Sequence, residues 1–161
     1  MFLLDSNVFI EAKNRYYAFD LAPVFWEWLD ELCEQEVRTI TNIRDELLDG
    51  SDELADWMRD RKDQNWILST DDENTQNIFA GIANEVAAGN YRPAAMNDFL
   101  SKADPWLIAK AMDINATIMT HEVAELNARR RVPLPNLCPS RAITCMNTFD
   151  FLRIHAKRFT T

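Results

Sequence analysis

Phe2-Leu3-Leu4-Asp5-Ser6-Asn7-Val8-Phe9-Ile10 is the stretch on which the reading of the chain turns. Three apolar residues stop on a carboxylate and hand over to Ser6 and Asn7, residue types that cap helices. That order predicts a short buried strand, a sharp turn, and a helix through Val8 to Lys13. In open α/β sheets ligands bind outside the carboxyl ends of the strands. Asp5 stands at that edge, and further acids delivered to the same edge would suit a divalent metal ion.

Working outward, Val37-Arg38-Thr39-Ile40 is a β-branched run that predicts a second strand, Trp66-Ile67-Leu68 a minor one, and Ala116-Thr117-Ile118-Met119 another. Residues 142–146 are a last strand candidate. Between them fall helical patterns. One runs from Pro23 with Val24, Trp28, Leu29 and Leu32 inward; one covers 42–48, capped by Thr41 or Asn42 and stopped near Gly50. Another opens at Ser51-Asp52-Glu53 and carries Arg59, Arg61 and Lys62 in its last turn. Residues 75–88 and 94–100, a helix opened by Asp104-Pro105, and a closing helix over 148–157 complete the set. Residues 122–135, with Arg129-Arg130-Arg131, read as a loop. Strands alternating with helices predict βαβ crossovers and an α/β fold, a three-layer α/β/α arrangement on a mainly parallel sheet of about four to five strands.

A chain of 161 residues, 47% of them hydrophobic, is expected to form one domain over 1–161. No stretch approaches the apolar length of a membrane span, and the first strand begins without a basic leader, so the expected location is cytoplasmic, with no membrane partner. Three cysteines, Cys33, Cys138 and Cys145, contain no C-x-x-C pair and read as buried thiols rather than a disulfide framework or a zinc site. The formal net charge of −9 argues against generic coating of nucleic acid, which depends on Lys and Arg neutralising phosphates. It leaves room for a local basic rim around an acidic pocket.

With 26 acidic residues, a filter is needed to choose a site. An acid on the apolar side of its own helix is costly to bury unless something pairs with it. Glu46 lies three residues after Ile43 and beside Leu47, at the inward stripe; its plain alternative is a boundary residue satisfied by a neighbouring Arg. Asp104 precedes Leu107, Ile108 and Ala111 on the core-facing stripe, and is equally suited to be an N-cap before Pro105. Glu122 follows the strand that ends near Met119, where an ordinary loop carboxylate is the alternative. Hard oxygen donors converging on one edge select Mg²⁺ or Mn²⁺ over zinc. His121 and His155 read as structural.

These residues resemble a PIN domain, the metal-dependent nuclease module typical of VapC-like toxins. The resemblance rests on Leu3-Leu4-Asp5-Ser6-Asn7-Val8-Phe9-Ile10, Ile43-Arg44-Asp45-Glu46-Leu47, Ala103-Asp104-Pro105-Trp106-Leu107-Ile108-Ala109 and Ile118-Met119-Thr120-His121-Glu122, in that order over nearly the whole chain. It implies Asp5, Glu46 and Asp104 as metal-holding acids, and Glu122 at the fourth acidic position, where the family more often has Asp. Asn7 and Thr120 match positions that orient the acids. Residues 11–17 and the long helical middle differ from compact PIN toxins, placing the chain in a less characterised branch.

The activity implied is endoribonuclease cleavage of single-stranded or looped RNA, leaving a 5′-phosphate and a 3′-hydroxyl, by the toxin of a toxin-antitoxin pair. An antitoxin protein and a homodimer are implied partners. Lys13, Arg15, Lys102, Arg129, Arg130 and Arg131 are candidates for phosphate contacts. Tyr16, Tyr17 and Trp106 suit either base stacking or the core. Two other classes compete: a Mg-dependent phosphatase, because Asp5-x-Asn7 is similar to the Asp-x-Asp of haloacid-dehalogenase-like enzymes, and a PIN-like domain that only binds.

Overall fold

Five strands, β1 (Phe2–Leu4), β2 (Val37–Ile40), β3 (Ile67–Leu68), β4 (Thr117–Met119) and β5 (Cys145–Met146), form one sheet in the order β3-β2-β1-β4-β5 in a computed structural model that describes residues 1–155. Every pairing is parallel. Phe2 stands opposite Val37 on one side and Thr117 on the other, and Ile118 opposite Cys145. The expected mainly parallel sheet is therefore wholly parallel across the described residues.

Short strands suffice at the centre of the sheet because β1 and β4 bury side chains on both faces. Successive side chains of a strand point to opposite faces, and Leu3 and Leu4 are both 0% exposed, as is Ile118, with Met119 at 2%. A parallel sheet needs helices on both faces, since each crossover lays one there. Those helices are α1 (Ser6–Glu11), α2 (Pro23–Gln35), α3 (Thr41–Leu48), α4 (Glu53–Arg59), α5 (Glu73–Ala88), α6 (Pro93–Leu100), α7 (Asp104–Ile114) and α8 (Thr148–His155). The result is a three-layer α/β/α arrangement. The last two positions expected in the closing helix, 156 and 157, lie outside the described residues.

Several boundaries differ from the sequence expectation, each for a local reason. The first helix does not stop at Lys13; it widens into a π-helical turn over Ala12–Tyr16, closed by the Tyr17 N–H on the Ala12 carbonyl at 2.6 Å. In α2 the inward residues are Phe25, Trp26, Trp28, Leu29 and Leu32, while Val24 is half-exposed. Helix α3 takes Ile40 rather than Thr41 or Asn42 at its cap position. Helix α4 ends at Arg59, so Arg61 and Lys62 lie beyond it. Arg61 clasps Asp30 of α2 through two bonds of 2.6 and 2.7 Å and lies 4.3 Å from the Trp57 ring, tying the two helices together. Helix α5 starts earlier than residue 75 because the Asp72 carboxylate accepts the Thr75 N–H at 2.9 Å.

Helices α5 and α7 are clamped by one buried cation. Lys110, 9% exposed, donates to Asp72 at 2.7 Å and to Asp113 at 2.9 Å. A buried ammonium is tolerated only when paired in this way. The clamp fixes the slope of α7, whose first turn carries Asp104.

Candidate active site

The strand order reverses at β1: the chain goes first to β2 and β3 on one side, then to β4 and β5 on the other. Such a reversal opens a crevice at the carboxyl ends of the two central strands. Asp5 follows β1 at this point, its N–H bonded to the Met119 carbonyl of β4 at 2.9 Å. Its carboxylate is 3% exposed and accepts the Thr120 hydroxyl at 2.8 Å on Oδ2 and the Ser6 hydroxyl at 3.4 Å on Oδ1.

Thr120 is itself held. Its Oγ1 accepts from Asn7 Nδ2 and from the Glu122 N–H, both at 3.1 Å, while Asn7 Oδ1 accepts the His121 N–H at 3.0 Å. With its lone pairs so used, the Thr120 proton is left to point at Asp5. The two strand ends are thus stitched together by side chains that fix one carboxylate.

The other three acids come from three different elements. Glu46, on α3, is exposed as a residue, yet its Oε1 accepts the Ala103 N–H at 2.9 Å, at the entry to α7. A backbone amide rather than a neighbouring Arg satisfies it. Glu122 Oε2 accepts the Leu134 N–H at 2.9 Å, so it is anchored and not a free loop carboxylate. Asp104 is the first residue of α7, preceded by Ala103 with helical angles of φ −71° and ψ −24°, and no side-chain cap bond is formed there. Its carboxylate is therefore not spent on capping.

Electrostatics shows that the four acids share one field. Burial holds the Asp5 carboxyl at about 6, against an ordinary 3.8; the Thr120 hydrogen bond pulls it down, and the charges of Glu122 and Glu46 push it up. Asp104 is pushed up to about 7, first by burial and then by Asp5, Glu122 and Glu46, with Lys102 opposing. Repulsion of this kind requires proximity in a poorly screened place. Among the described residues, no three His, Cys, Asp or Glu side chains already converge on one point as metal ligands do. The oxygens left over, one on Glu46, one on Glu122 and both on Asp104, are the ones available to turn toward a shared cation.

The expected basic rim divides. Lys13 is taken by Asp52 at 2.9 Å, Lys102 by Asp98 at 2.7 Å and Arg15 by Glu11 at 3.0 Å. Arg15 nevertheless lines a cleft of about 500 Å³ together with Asn7, Tyr16, His121, Glu122 and Arg131. Arg131, which pairs with Glu125 at 2.5 Å, also lines a neighbouring hollow of about 420 Å³ with Arg92, Arg129 and Arg130. The Arg92 N–H donates to the Arg129 carbonyl at 2.8 Å, which brings the start of α6 into this cluster.

Of the aromatics, Tyr17 stacks on Phe25 at 4.1 Å and Trp106 on Phe79 at 3.9 Å, so both serve packing. Tyr16 is 44% exposed at the cleft. His121 bonds through Nε2 to Thr148 at 3.0 Å, and burial lowers its pKa; His155 pairs with Glu36. Each histidine is thus held by one neighbouring side chain.

A family model described as Domain of unknown function (DUF4411) matches residues 2–159. The chain belongs to the DUF4411 family. Among solved structures, the crystal structure of VapBC2 from Rickettsia felis bound to a DNA fragment from their promoter is similar to it, with a TM-score of 0.54, at 14% identity, over 91% of this chain and 97% of that one. At that identity the likeness concerns the fold, and it agrees with the PIN-like fold implied by the sequence motifs. No protein with a curated description matches the chain.

In this DUF4411 chain the acids were readable as candidates and the groups that hold them were not. The amides of Ala103 and Leu134, which grip Glu46 and Glu122, leave no trace in residue type. Arg92 was missed because it belongs to the triplet only in space. Cys138 and Cys145 were read as separate buried thiols, yet their Sγ atoms lie 3.1 Å apart beside the site.

Proposed function

We propose that the chain is a metal-dependent endoribonuclease, the toxin of a toxin-antitoxin pair, with Asp5, Glu46, Asp104 and Glu122 as the acids that hold Mg²⁺ or Mn²⁺. The observation that carries this reading is the buried Asp5 carboxylate, oriented by Thr120 at the switch point and pressed upon by the other acids. The donor set fits a hard divalent cation: four carboxylates, with mutual repulsion that a cation would relieve. Such an ion, when bound, neutralises phosphate charge and lowers the pKa of water.

The chain's own residues supply the rest. Thr120 and Asn7 keep Asp5 in one rotamer; Ala103 and Leu134 keep one oxygen each of Glu46 and Glu122 fixed, so that the second can face the cation. The cleft that Arg15 and Arg131 line beside their partners Glu11 and Glu125 adjoins the hollow of Arg92, Arg129, Arg130 and Arg131, and that hollow offers a basic surface for a strand leading away from the acids. Tyr16 at the cleft suits stacking on an unpaired base.

Support for the toxin reading is the PIN-like fold and the motif order; the similar solved structure is described as a VapBC2 complex. An antitoxin that covers the acidic crevice is the matching partner. The phosphatase alternative is disfavoured because Asn7 has both its amide groups committed to Thr120 and His121, and it has no proton to exchange. The test is total RNA incubated with wild type or Asp5→Asn in Mn²⁺, then with chelator. Cleavage by the wild type alone, stopped by the chelator, is expected; equal RNA profiles for both proteins would overturn the ribonuclease reading.

A further inference from the structure

Cys138 and Cys145 are free thiols whose sulfurs lie 3.1 Å apart. The chain between them is short and tightly turned. A 3₁₀ turn over Pro139–Arg141 runs into Ala142, which adopts the left-handed φ of 54°, and the Ile143 N–H returns to the Cys138 carbonyl at 3.0 Å. An alanine seldom holds that conformation unless its surroundings impose it. The turn delivers Cys145 to the start of β5, facing back at Cys138.

The two sulfurs differ in access. Cys138 is 2% exposed and its Sγ also approaches the Leu134 carbonyl at 3.5 Å. Cys145 is half-buried and lines a cavity of about 400 Å³ with Thr120, Glu122, Pro135 and Asn147. Leu134 is the residue whose N–H holds Glu122. The dithiol is therefore one hydrogen-bonded step from a candidate site acid.

We propose that Cys138 and Cys145 form a peroxide-reactive dithiol that closes into an intramolecular disulfide and ties the turn at Leu134–Cys138 to β5. A disulfide requires about 2.05 Å between sulfurs, so closure asks for a shift of about 1 Å, within reach of side-chain rotation. Cys145 is the attacking sulfur: its thiolate bonds to one peroxide oxygen, the O–O bond breaks, and hydroxide leaves and is protonated to water. The Cys138 thiol then attacks the Cys145 sulfenic sulfur, the S–O bond breaks, and a second water departs with the Cys138 proton. In sum, two thiols and one hydrogen peroxide give one disulfide and two waters, sulfur being oxidised and peroxide reduced. Consistent with these roles, the hydrogen bond between the two sulfurs lowers the Cys145 pKa, against the opposing effects of burial, Asp5 and Glu122, while Cys138 itself is raised.

The third thiol is an internal control. Cys33 is 2% exposed and burial pushes it well above the ordinary thiol range. In a reducing compartment such a bond would be transient, as redox-sensing disulfides are. This assignment stands whether or not the chain cleaves RNA.

The test is peroxide treatment of the full chain, followed by intact mass and peptide mapping under alkylation. The expected result is loss of two hydrogens, a Cys138–Cys145 linked peptide, Cys33 still reduced, and full reversal by a dithiol reductant. Cys145 should be oxidised at least about tenfold faster than Cys33. Cys138→Ser is expected to trap Cys145 as a sulfenic acid that a dimedone probe labels, and Cys145→Ser to leave Cys138 unlabelled. Wild-type chains that keep both thiols, link only between molecules, or take Cys145 to sulfinic acid without the linked peptide would overturn the proposal; the mapping of the wild type decides this even if a variant does not fold.

Discussion

The Thr120 hydroxyl donates to Asp5 Oδ2 at 2.8 Å across 115 positions of sequence, joining the ends of two neighbouring parallel strands. Because Thr120 is 2% exposed and its own lone pairs take Asn7 and the Glu122 amide, it has one job left for its proton. Thr120→Val keeps the shape and removes that donor. Groups that orient ligand side chains typically contribute 10–100-fold to metal affinity or activity. A loss of about that size in Mn²⁺ affinity is expected, with recovery in Thr120→Ser, as read by a binding titration.

Stability should fall as pH rises through the range where the site acids ionise. Asp5 and Asp104 have folded-state values of about 6 and about 7, above the ordinary 3.8. Between these values the folded chain binds more protons than the unfolded one, so their favourable contribution is complete below pH 3.8 and is lost as pH climbs through 6 to 7. For Asp5, a shift of that size corresponds to about 3 kcal/mol as an upper figure. Thermal melts in chelator should show Asp5→Asn more stable than wild type at pH 8 and no advantage at pH 4. Added Mn²⁺ at pH 8 should raise the wild-type Tm selectively.

The clamp between α5 and α7 is separable from the site. Lys110→Met removes the donor shared by Asp72 and Asp113 and leaves two carboxylates facing one another. Losing a charged, partly buried hydrogen-bond network of this type costs about 1–3 kcal/mol. A lower Tm by calorimetry with unchanged Mn²⁺ affinity per folded chain is the expected pattern.

Arginines of the cleft should act through charge rather than sequence. Each phosphate contact removed flattens the salt dependence of binding by about one counterion. Arg131→Ala and Arg130→Ala, measured by anisotropy on single-stranded RNA in an Asp104→Asn background, are expected to weaken binding and reduce that slope. Lys13→Ala should not, since Lys13 pairs with Asp52 and lines neither the cleft nor the hollow.

Ala142→Gly should relieve the left-handed turn. An L residue at φ 54° is strained by about 1 kcal/mol, partly offset by the freedom glycine gains when unfolded. A Tm rise of a few degrees is expected. A fall would mean the Ala142 methyl contributes packing that outweighs the backbone term.

Residue type revealed the sheet edge but not its furniture. Phe2-Leu3-Leu4-Asp5 announces a strand stopped by an acid because burial on both faces needs an unbroken apolar run, and that signal is local. Glu46 and Asp104 were readable as candidates on a similar local ground, since they sit at fixed offsets from apolar neighbours on their helices. The amides of Ala103 and Leu134 were not, because every residue but proline has an N–H and only the fold decides where it points. The split of the basic rim was likewise hidden: Lys13 and Asp52 meet across 39 positions, and no local pattern pairs them. The π-helical turn at Ala12–Tyr16 was missed because its sequence differs little from that of a loop.

The central claim is that Asp5, Glu46, Asp104 and Glu122 form one cation site, and calorimetric titration of Mn²⁺ into wild type and Asp104→Asn at pH 8 tests it most directly. Saturable binding by the wild type, weakened by about 100-fold or more in Asp104→Asn with the circular dichroism spectrum unchanged, is the predicted result. Equal affinity of the two proteins for Mn²⁺, or no saturable binding by either, would contradict it.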